Sequence, residues 1–380
     1  MKWEKVRLGD VTDSCLGKML DKEKNRGEYQ LYLSNKDVRW GSFDLEHLDL
    51  MKFEEHEEER YGVRYGDLIV CEGGEPGRCA IWKDQIPNMK IQKALHRVRV
   101  HEGLDYRFLY YWFLWAGKRG ELQQYFTGAT IKHMPGDKLK SVIITKPDIE
   151  TQRQIADVLS AYDDLIENNQ KQIKLLEEAT QRLYKEWFMD LRFPGYENTE
   201  IDNGIPTGWH MGTLGEIVEF RRGKTITKAQ VKEGNVPVVA GGLEPAYYHN
   251  EANTKAPVIT VSGSGANAGF SRMYHEDVFA SDCSFADIQG TKSISFVYCF
   301  LKANKYQLDA LQKGSAQPHV YAKDINAMEI LIPQSEMITH YCAKVDVLFN
   351  KIGVLQKQMA AASEARDRLL PKLMSGEIEL

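Results

Sequence analysis

The stretch RRGKT, residues 221–225, ends as a phosphate-binding loop ends, with glycine, lysine and a hydroxyl residue. Such a loop also needs a glycine at position 218 to bring its amides onto phosphate, and Val218 stands there. SGSGANAG, residues 262–269, follows the strand-like VITV and offers glycines that could lie against a dinucleotide. Its spacing is G-x-G-x-x-x-G, and the FSRMY that follows is strand-like, where a helix must begin to receive a pyrophosphate. It reads instead as a hairpin turn, with glycine supplying positive φ and close backbone approach. The acidic run EEHEEER, residues 54–60, has metal-ligating residue types but reads as a solvated loop or helix face. The chain contains no Pro-Pro and so no N-P-P-aromatic motif of an amino-methyltransferase, and Pro147-Asp148 is not followed by the acidic-x-Lys of a nuclease core. The six cysteines form no CxxC and no Cys/His cluster with zinc spacing, so they read as reduced, packed thiols. His133 and His319 recur in matching surroundings, but no Ser, Asp or Cys recurs beside them. Repeated architecture without repeated catalytic groups points to binding.

The elements that hold these residues are written twice. TGATIKHMPGDKLKSVIITKP (127–147) and KGSAQPHVYAKDINAMEILIP (313–333) share Gly128/Gly314, His133/His319, Ile144/Ile330 and Pro147/Pro333, each pair 186 positions apart. Trp3, Leu8, Gly9, Gly17 and Lys18 return as Trp209, Leu214, Gly215, Gly223 and Lys224 at an offset of 206. DLIVCEGGEPG (67–77) corresponds to PVITVSGSGANAG (257–269), and FLYYWF (108–113) to FVYCFL (296–301). The offset falls steadily, so the first copy is longer only through its loops. Between the shared letters the copies diverge: Thr130-Ile131-Lys132 stands against Ala316-Gln317-Pro318. Each copy opens with short β-like runs (LIV, CAIW, VITV, SVIIT), Gly-rich turns and an aromatic helix-like stretch, which predicts an α+β domain with the run at 110–115 in its core.

A different pattern follows each domain. Leu159, Tyr162, Ile166, Asn169, Ile173, Leu176, Thr180, Leu183 and Trp187 step by three and four without a break, as a coiled-coil seam does. The same positions plus 186 give Val345, Leu348, Ile352, Leu355, Met359, Ala362, Arg366, Leu369 and Leu373. Two long helices with matching seams are best buried against each other, as an antiparallel coiled coil. The polar Asn169, Thr180 and Arg366 interrupt the seam and fix its register at some cost in stability. Pro147-Asp148 and Pro333-Gln334-Ser335 open the helices; the first ends near Phe193-Pro194-Gly195, and the second meets Pro371 and ends before Ser375-Gly376. The divisions are therefore 1–147, 148–193, 194–333 and 334–380.

Composition limits the alternatives. The 380 residues are 43% hydrophobic and 27% charged, as in a soluble globular protein of two or three domains. No apolar run approaches the ~20 residues that cross a bilayer, and MKWEKVRLGD lacks a signal-peptide core, so the expectation is a cytoplasmic protein. The net charge of −5 divides as +2 over 1–147, −5 over 148–190, −2 over 191–333 and zero over 334–380, which neither demands nor excludes nucleic acid.

Five stretches together carry a resemblance. They are the W…LGD and W…LGE openings at Trp3–Asp10 and Trp209–Glu216, the latter led by IPTGW; GDLIVCEGGEPGRCAIW; the two G-x-x-x-x-H…I-x-x-P frames; PDIETQRQI opening the first long helix; and RLLPKLMSGEIEL at the end. In this order, with the duplication, the chain resembles the specificity subunit of type I restriction-modification systems over nearly its whole length. Glu150 and Gln152 of the first helix opening become Glu336 and Ile338 in the second, a departure from the pattern. The resemblance implies two target recognition domains, each reading one half of a split, asymmetric site in double-stranded DNA, with the helices setting the spacer. It implies no catalysis, metal or cofactor in this chain. The partners it implies are two modification (methyltransferase) subunits, which hold S-adenosylmethionine and methylate adenine, and in some systems restriction subunits that use ATP and Mg. The seam from Leu159 to Trp187 is 28 steps, about 42 Å at 1.5 Å per residue, against about 34–36 Å for one turn of DNA. The other reading is a protein–protein adaptor with duplicated α+β domains.

Long cationic and amide side chains in turn-like stretches are the candidate DNA contacts, Arg and Lys for phosphate and guanine, Asn and Gln for adenine. In the first domain these are Asn35, Lys36, Arg39, Arg64, Arg78, Lys93, Lys132 and His133; in the second, Arg221, Arg222, Lys224, Asn267, Arg272, Lys292, Gln317, His319, Tyr321 and Lys323.

Overall fold

In the computed structural model, residues 3–21, 25–314 and 317–380 are described; Ala316, one of the diverging letters, lies outside them. The chain forms two units, Met1–Ile166 with Ala360–Leu380, and Glu167–Met359.

Both units are α+β and share one topology. Leu68–Cys71 and Val258–Ser262, buried at every residue, are inner strands of two four-stranded sheets. Their orders match: Thr12–Leu16, Leu95–Val100, Leu68–Cys71, Cys79–Ile81 in one unit, and Arg221–Arg222, Cys283–Asp287, Val258–Ser262, Ser271–Tyr274 in the other. The GGEPG and GSGANAG stretches are therefore hairpin connections between antiparallel strands. A three-stranded sheet with one antiparallel and one parallel pairing repeats in each unit. So does a two-stranded pair that closes the domain, Glu4–Arg7 with Ile143–Lys146 and His210–Thr213 with Glu329–Ile332. The aromatic run forms the helix Tyr106–Lys118, capped by the Asp105 carboxylate, and residues 110–114 are buried in the core. Its counterpart is Ile294–Ala303.

The two long helices are Ile149–Tyr184, here the central helix, and Ser335–Met374, the C-terminal helix, which continues through Pro371. A π turn, Lys185–Met189, extends the first and lets the neighbours Trp187 and Phe188 both turn inward. They pack there with Tyr184, Phe296 and Tyr341 at ring separations of 4.9–6.1 Å. Each polar break in the seam has a partner. Asn169 Nδ2 reaches Gln358 Oε1 at 3.4 Å and Arg366 pairs with Asp163 at 2.5 Å, while Thr180 Oγ1 donates back to the Glu177 carbonyl at 2.8 Å and its main-chain carbonyl accepts from the Tyr341 hydroxyl at 3.1 Å. Partner numbers rise on one helix as they fall on the other, so the pairing is antiparallel. This is why the last turns of the C-terminal helix belong to the first unit: Leu370, Leu373 and Met374 share its core with Leu8, Phe108 and Leu159. Compact units thus divide the long helices near their middles, whereas the sequence pattern divides the chain at helix ends.

Gln152 and Ile338 show how the two helix openings differ. Gln152 is fully buried; its amide donates to the carbonyls of Pro147 and Gly103 and accepts from the Asp105 amide. Ile338 is packed in the core of its unit. Among the described residues no helix is long and apolar enough to cross a membrane.

Candidate nucleic-acid interface

In each unit one end of the four-stranded sheet gathers the Gly-rich loops, and backbone hydrogen bonds stitch them into one face. In the first, Gly17 N donates to Leu95 O (2.9 Å), Lys93 N to Lys18 O (2.8 Å), Glu72 N to Ala94 O (2.8 Å) and Met134 N to Glu72 O (2.7 Å). In the second, Gly223 N donates to Cys283 O (2.8 Å), Gly263 N to Asp282 O (3.4 Å) and Val320 N to Gly263 O (3.1 Å). Gly17 and Gly223 are required because a Cβ at either would collide with the neighbouring strand's backbone.

The recurring histidines close a small hairpin in this face. Thr127 and His133 exchange backbone hydrogen bonds of 2.7 and 3.0 Å, and Lys313 and His319 exchange two of 2.9 Å. Gly128 (φ 88°) and Gly314 (φ 95°) take the left-handed backbone these hairpins need, and a side chain there would meet the carbonyl oxygen of Ile131 or Gln317. His133 also bridges to Gly73, as His319 does to Ser264. Beneath the first hairpin His96 Nε2 bonds the Met134 carbonyl at 2.9 Å, and burial holds its imidazole below the usual pKa range.

Of the sequence-selected residues, Asn35, Arg78, Lys93, Lys132 and His133 come together on the first face, and Arg222, Lys224, Asn267, Gln317, His319 and Tyr321 on the second. Asn35 and Arg78 are committed internally: Asn35 Nδ2 donates to Gly73 O at 2.7 Å, and Arg78 donates to Asn35 Oδ1 at 2.8 Å and to Glu75 at 3.2 Å. Asn267 reaches Gly241 O at 3.4 Å. Lys93, Lys132, Arg222, Lys224 and Gln317 are exposed, and Tyr321 is exposed with its ring stacked on His319. Lys36 is paired with Asp49, which raises its pKa, and Arg39 bonds the Lys36 and Val38 carbonyls. Arg221 pairs at 3.4 Å with the wholly buried Asp287 and lies over the Phe285 ring, so it also holds the sheet. Arg272 is held between Phe270 and Tyr274; burial opposes its charge, but hydrogen bonds to Tyr274 and Glu244 keep its pKa raised. Lys323 is exposed on the short helix Ala322–Asn326 just beyond Tyr321. Arg64 and Lys292 sit at the opposite end of the sheets, Arg64 before Leu68–Cys71 and Lys292 after Cys283–Asp287.

Two features escape sequence reasoning. Lys18, which the repeat pairs with the exposed Lys224, is 2% exposed and donates to Glu57 and to the Lys52 carbonyl. Its partner comes from the acidic run, whose Glu58 likewise neutralises the buried Lys90 at 2.7 Å. The run is thus a counter-charge for buried lysines as well as a solvated face. Glu54, His56 and Glu57 bring their ligand atoms within 4.8 Å of one another, but the Glu57 carboxylate is already engaged by Lys18 and the Glu54 amide. The second feature is the exposure of Ile131, one of the letters at which the copies diverge, whose large apolar side chain stands open at the hairpin.

Two copies of one α+β module, each presenting a stitched loop face and each joined to a long helix, define a duplicated recognition scaffold. A family model described as "Type I restriction modification DNA specificity domain" matches residues 1–178 and 206–361. The chain belongs to that family and is a type I restriction-modification specificity subunit. It is 28% identical over 346 residues to the type I restriction enzyme MjaIX specificity subunit of Methanocaldococcus jannaschii, covering 83% of this chain and 78% of that one. It is 24% identical over 335 residues to the HindI specificity subunit of Haemophilus influenzae, covering 66% and 72%. The crystal structure of a type I system S subunit from M. genitalium has the same fold, with a TM-score of 0.62 at 21% identity over 98% of this chain and 96% of that one.

Proposed function

We propose that each loop face reads one half of a bipartite, asymmetric DNA site, and that the paired helices set the gap between the halves and recruit two methyltransferase subunits. The observation that carries this reading is a hairpin base repeated at Thr127/His133 and Lys313/His319, each with a left-handed glycine, bearing different side chains at positions 131 and 317. Equivalent frames that present unlike exposed side chains suit a pair of readers for two unlike half-sites. On this reading the chain is non-catalytic and carries no cofactor. S-adenosylmethionine and the adenine-methylating chemistry belong to the modification subunits, and ATP and Mg to restriction subunits where they are present. The loops contribute phosphate contacts through Lys93, Lys132, Arg222 and Lys224, whose affinity is salt-dependent.

The test is methylome sequencing of the host with and without the gene. A single bipartite methylated motif that disappears on deletion supports the proposal. An unchanged methylome, in a host whose modification subunits are expressed, refutes it.

A further inference from the structure

Position 131 and its counterpart 317 are the same point of the same hairpin. The backbone around each is fixed three times: by the paired strands at its base, by the left-handed glycine whose missing Cβ makes room for the carbonyl of residue 131 or 317, and by the stitching of the base to the Gly-rich loop. What the frame presents differs. Ile131 is 65% exposed and is flanked by exposed Lys132 and His133. Gln317 is exposed, and its amide has no partner among the described residues. An aliphatic side chain this exposed contributes little to folding, because the hydrophobic gain follows the apolar area removed from water. At the corresponding point Gln317 presents an exposed amide whose donor and acceptor suit an edge that supplies both.

We infer that residues 131 and 317 are specificity-determining positions: Ile131 packs on a thymine C5-methyl in the half-site of the first domain, and Gln317 bonds adenine N6 and N7 in that of the second. In the major groove only thymine offers a methyl group, and adenine offers the adjacent acceptor and donor that a glutamine amide matches. The neighbouring cations serve the flanking phosphates. This rests on the proposed DNA reading and adds to it which positions discriminate, and by what chemistry.

The test uses the specificity subunit assembled with its methyltransferase and duplexes carrying the methylome-derived motif. Thymines of the first half are replaced singly by deoxyuridine, which lacks only the methyl, and adenines of the second half by 7-deazaadenine, which lacks only N7. One deoxyuridine position is expected to lower wild-type affinity about four-fold, the equivalent of one buried methyl, and to have no effect in Ile131→Ala. One 7-deazaadenine position is expected to lower it about five-fold or more, with no effect in Gln317→Ala. Both variants should keep wild-type affinity for non-specific DNA, which separates lost reading from lost folding. Insensitivity to every deoxyuridine and every 7-deazaadenine, or sensitivity that persists in the variants, overturns the assignment while leaving the bipartite reading intact. A chain that yields no motif at all overturns both.

Discussion

Arg366 lies where the coiled-coil pattern asks for an apolar residue, and its removal is a direct test of how the seam is specified. The guanidinium bonds Asp163, whose carboxylate also accepts from the Tyr111 hydroxyl at 2.6 Å, and bonds Asp367 at 2.9 Å. The side chains of Arg366 and Asp163 are only 19% and 27% exposed. An exposed pair is worth about 0–1 kcal/mol, whereas removing one partner of a buried pair costs about 3–5 kcal/mol. At this burial Arg366→Met should cost about 2–3 kcal/mol, because Asp163 keeps Tyr111 but loses its counter-charge, while Asp367 retains Lys118. Asp163→Asn combined with Arg366→Met removes the stranded charge but keeps an acceptor for the Tyr111 hydroxyl, and should return to within about 1 kcal/mol of wild type. That leaves a coupling of about 2 kcal/mol in the double-mutant cycle. Hydrogen exchange of amides in residues 155–166 and 362–373 reads the local opening free energy, with residues 170–184 of the other unit as an internal control. A single variant within about 0.5 kcal/mol of wild type, or a double variant no better than the single, refutes the reasoning that this network fixes the seam.

Four further outcomes are expected. Gly128→Ala forces a side chain into left-handed backbone at a cost of about 1–2 kcal/mol and into the Ile131 carbonyl. It should abolish specific but not non-specific binding, whereas Gly103→Ala, at φ 90° with open space around it, should spare specificity; equal effects of the two would deny the hairpin its role. His96 and His275 both have imidazoles held below the usual range, His96 by burial against the opposing bond to Met134, and His275 by burial and Lys357. The unfolded chain therefore binds more protons below about pH 6.5, so stability is full above that pH and falls as pH drops through it. Urea midpoints of His96→Gln/His275→Gln should show a flatter decline, and an unaltered slope would remove these groups as its cause. Arg222→Ala/Lys224→Ala should weaken DNA binding and flatten the plot of log affinity against log salt by about 0.9 per lost phosphate contact. Arg222 is preferred to Arg221, whose loss would strand buried Asp287; a parallel salt plot would clear both cations of contact. One heptad inserted into both long helices adds about 10 Å, so the tolerated gap should grow by about three base pairs with each half-site unchanged. An unchanged spacer in the methylome would deny the helices their role as a ruler.

Much of the architecture is legible in the letters because it depends on local periodicity and on residues with unusual backbone freedom. The three-four stepping of Leu159…Trp187 and Val345…Leu373 gives the helices and their buried faces. The spacing Gly128–His133 and its echo mark a repeated turn, and the structure shows that in each copy a left-handed glycine closes a small hairpin there. The short β-like runs LIV and VITV mark strands, and the structure buries every residue of Leu68–Cys71 and Val258–Ser262, as a strand covered on both faces requires.

What the letters do not contain is which charges meet. Lys18 and Lys224 are equivalent in the repeat, yet one is sealed against Glu57 and the other faces water. Asn35 and Arg78 have the residue types of DNA contacts but spend their hydrogen bonds on each other and on Gly73. Arg366 looks like a flaw in a seam until Asp163, 203 positions away, is placed against it. These partnerships depend on long-range approach and on burial, which set both the distance and the dielectric of each pair. The sequence determined the duplicated frame, through periodicity and glycine; tertiary structure decided which of its polar side chains are bound to the protein itself and which are left free at the loop faces.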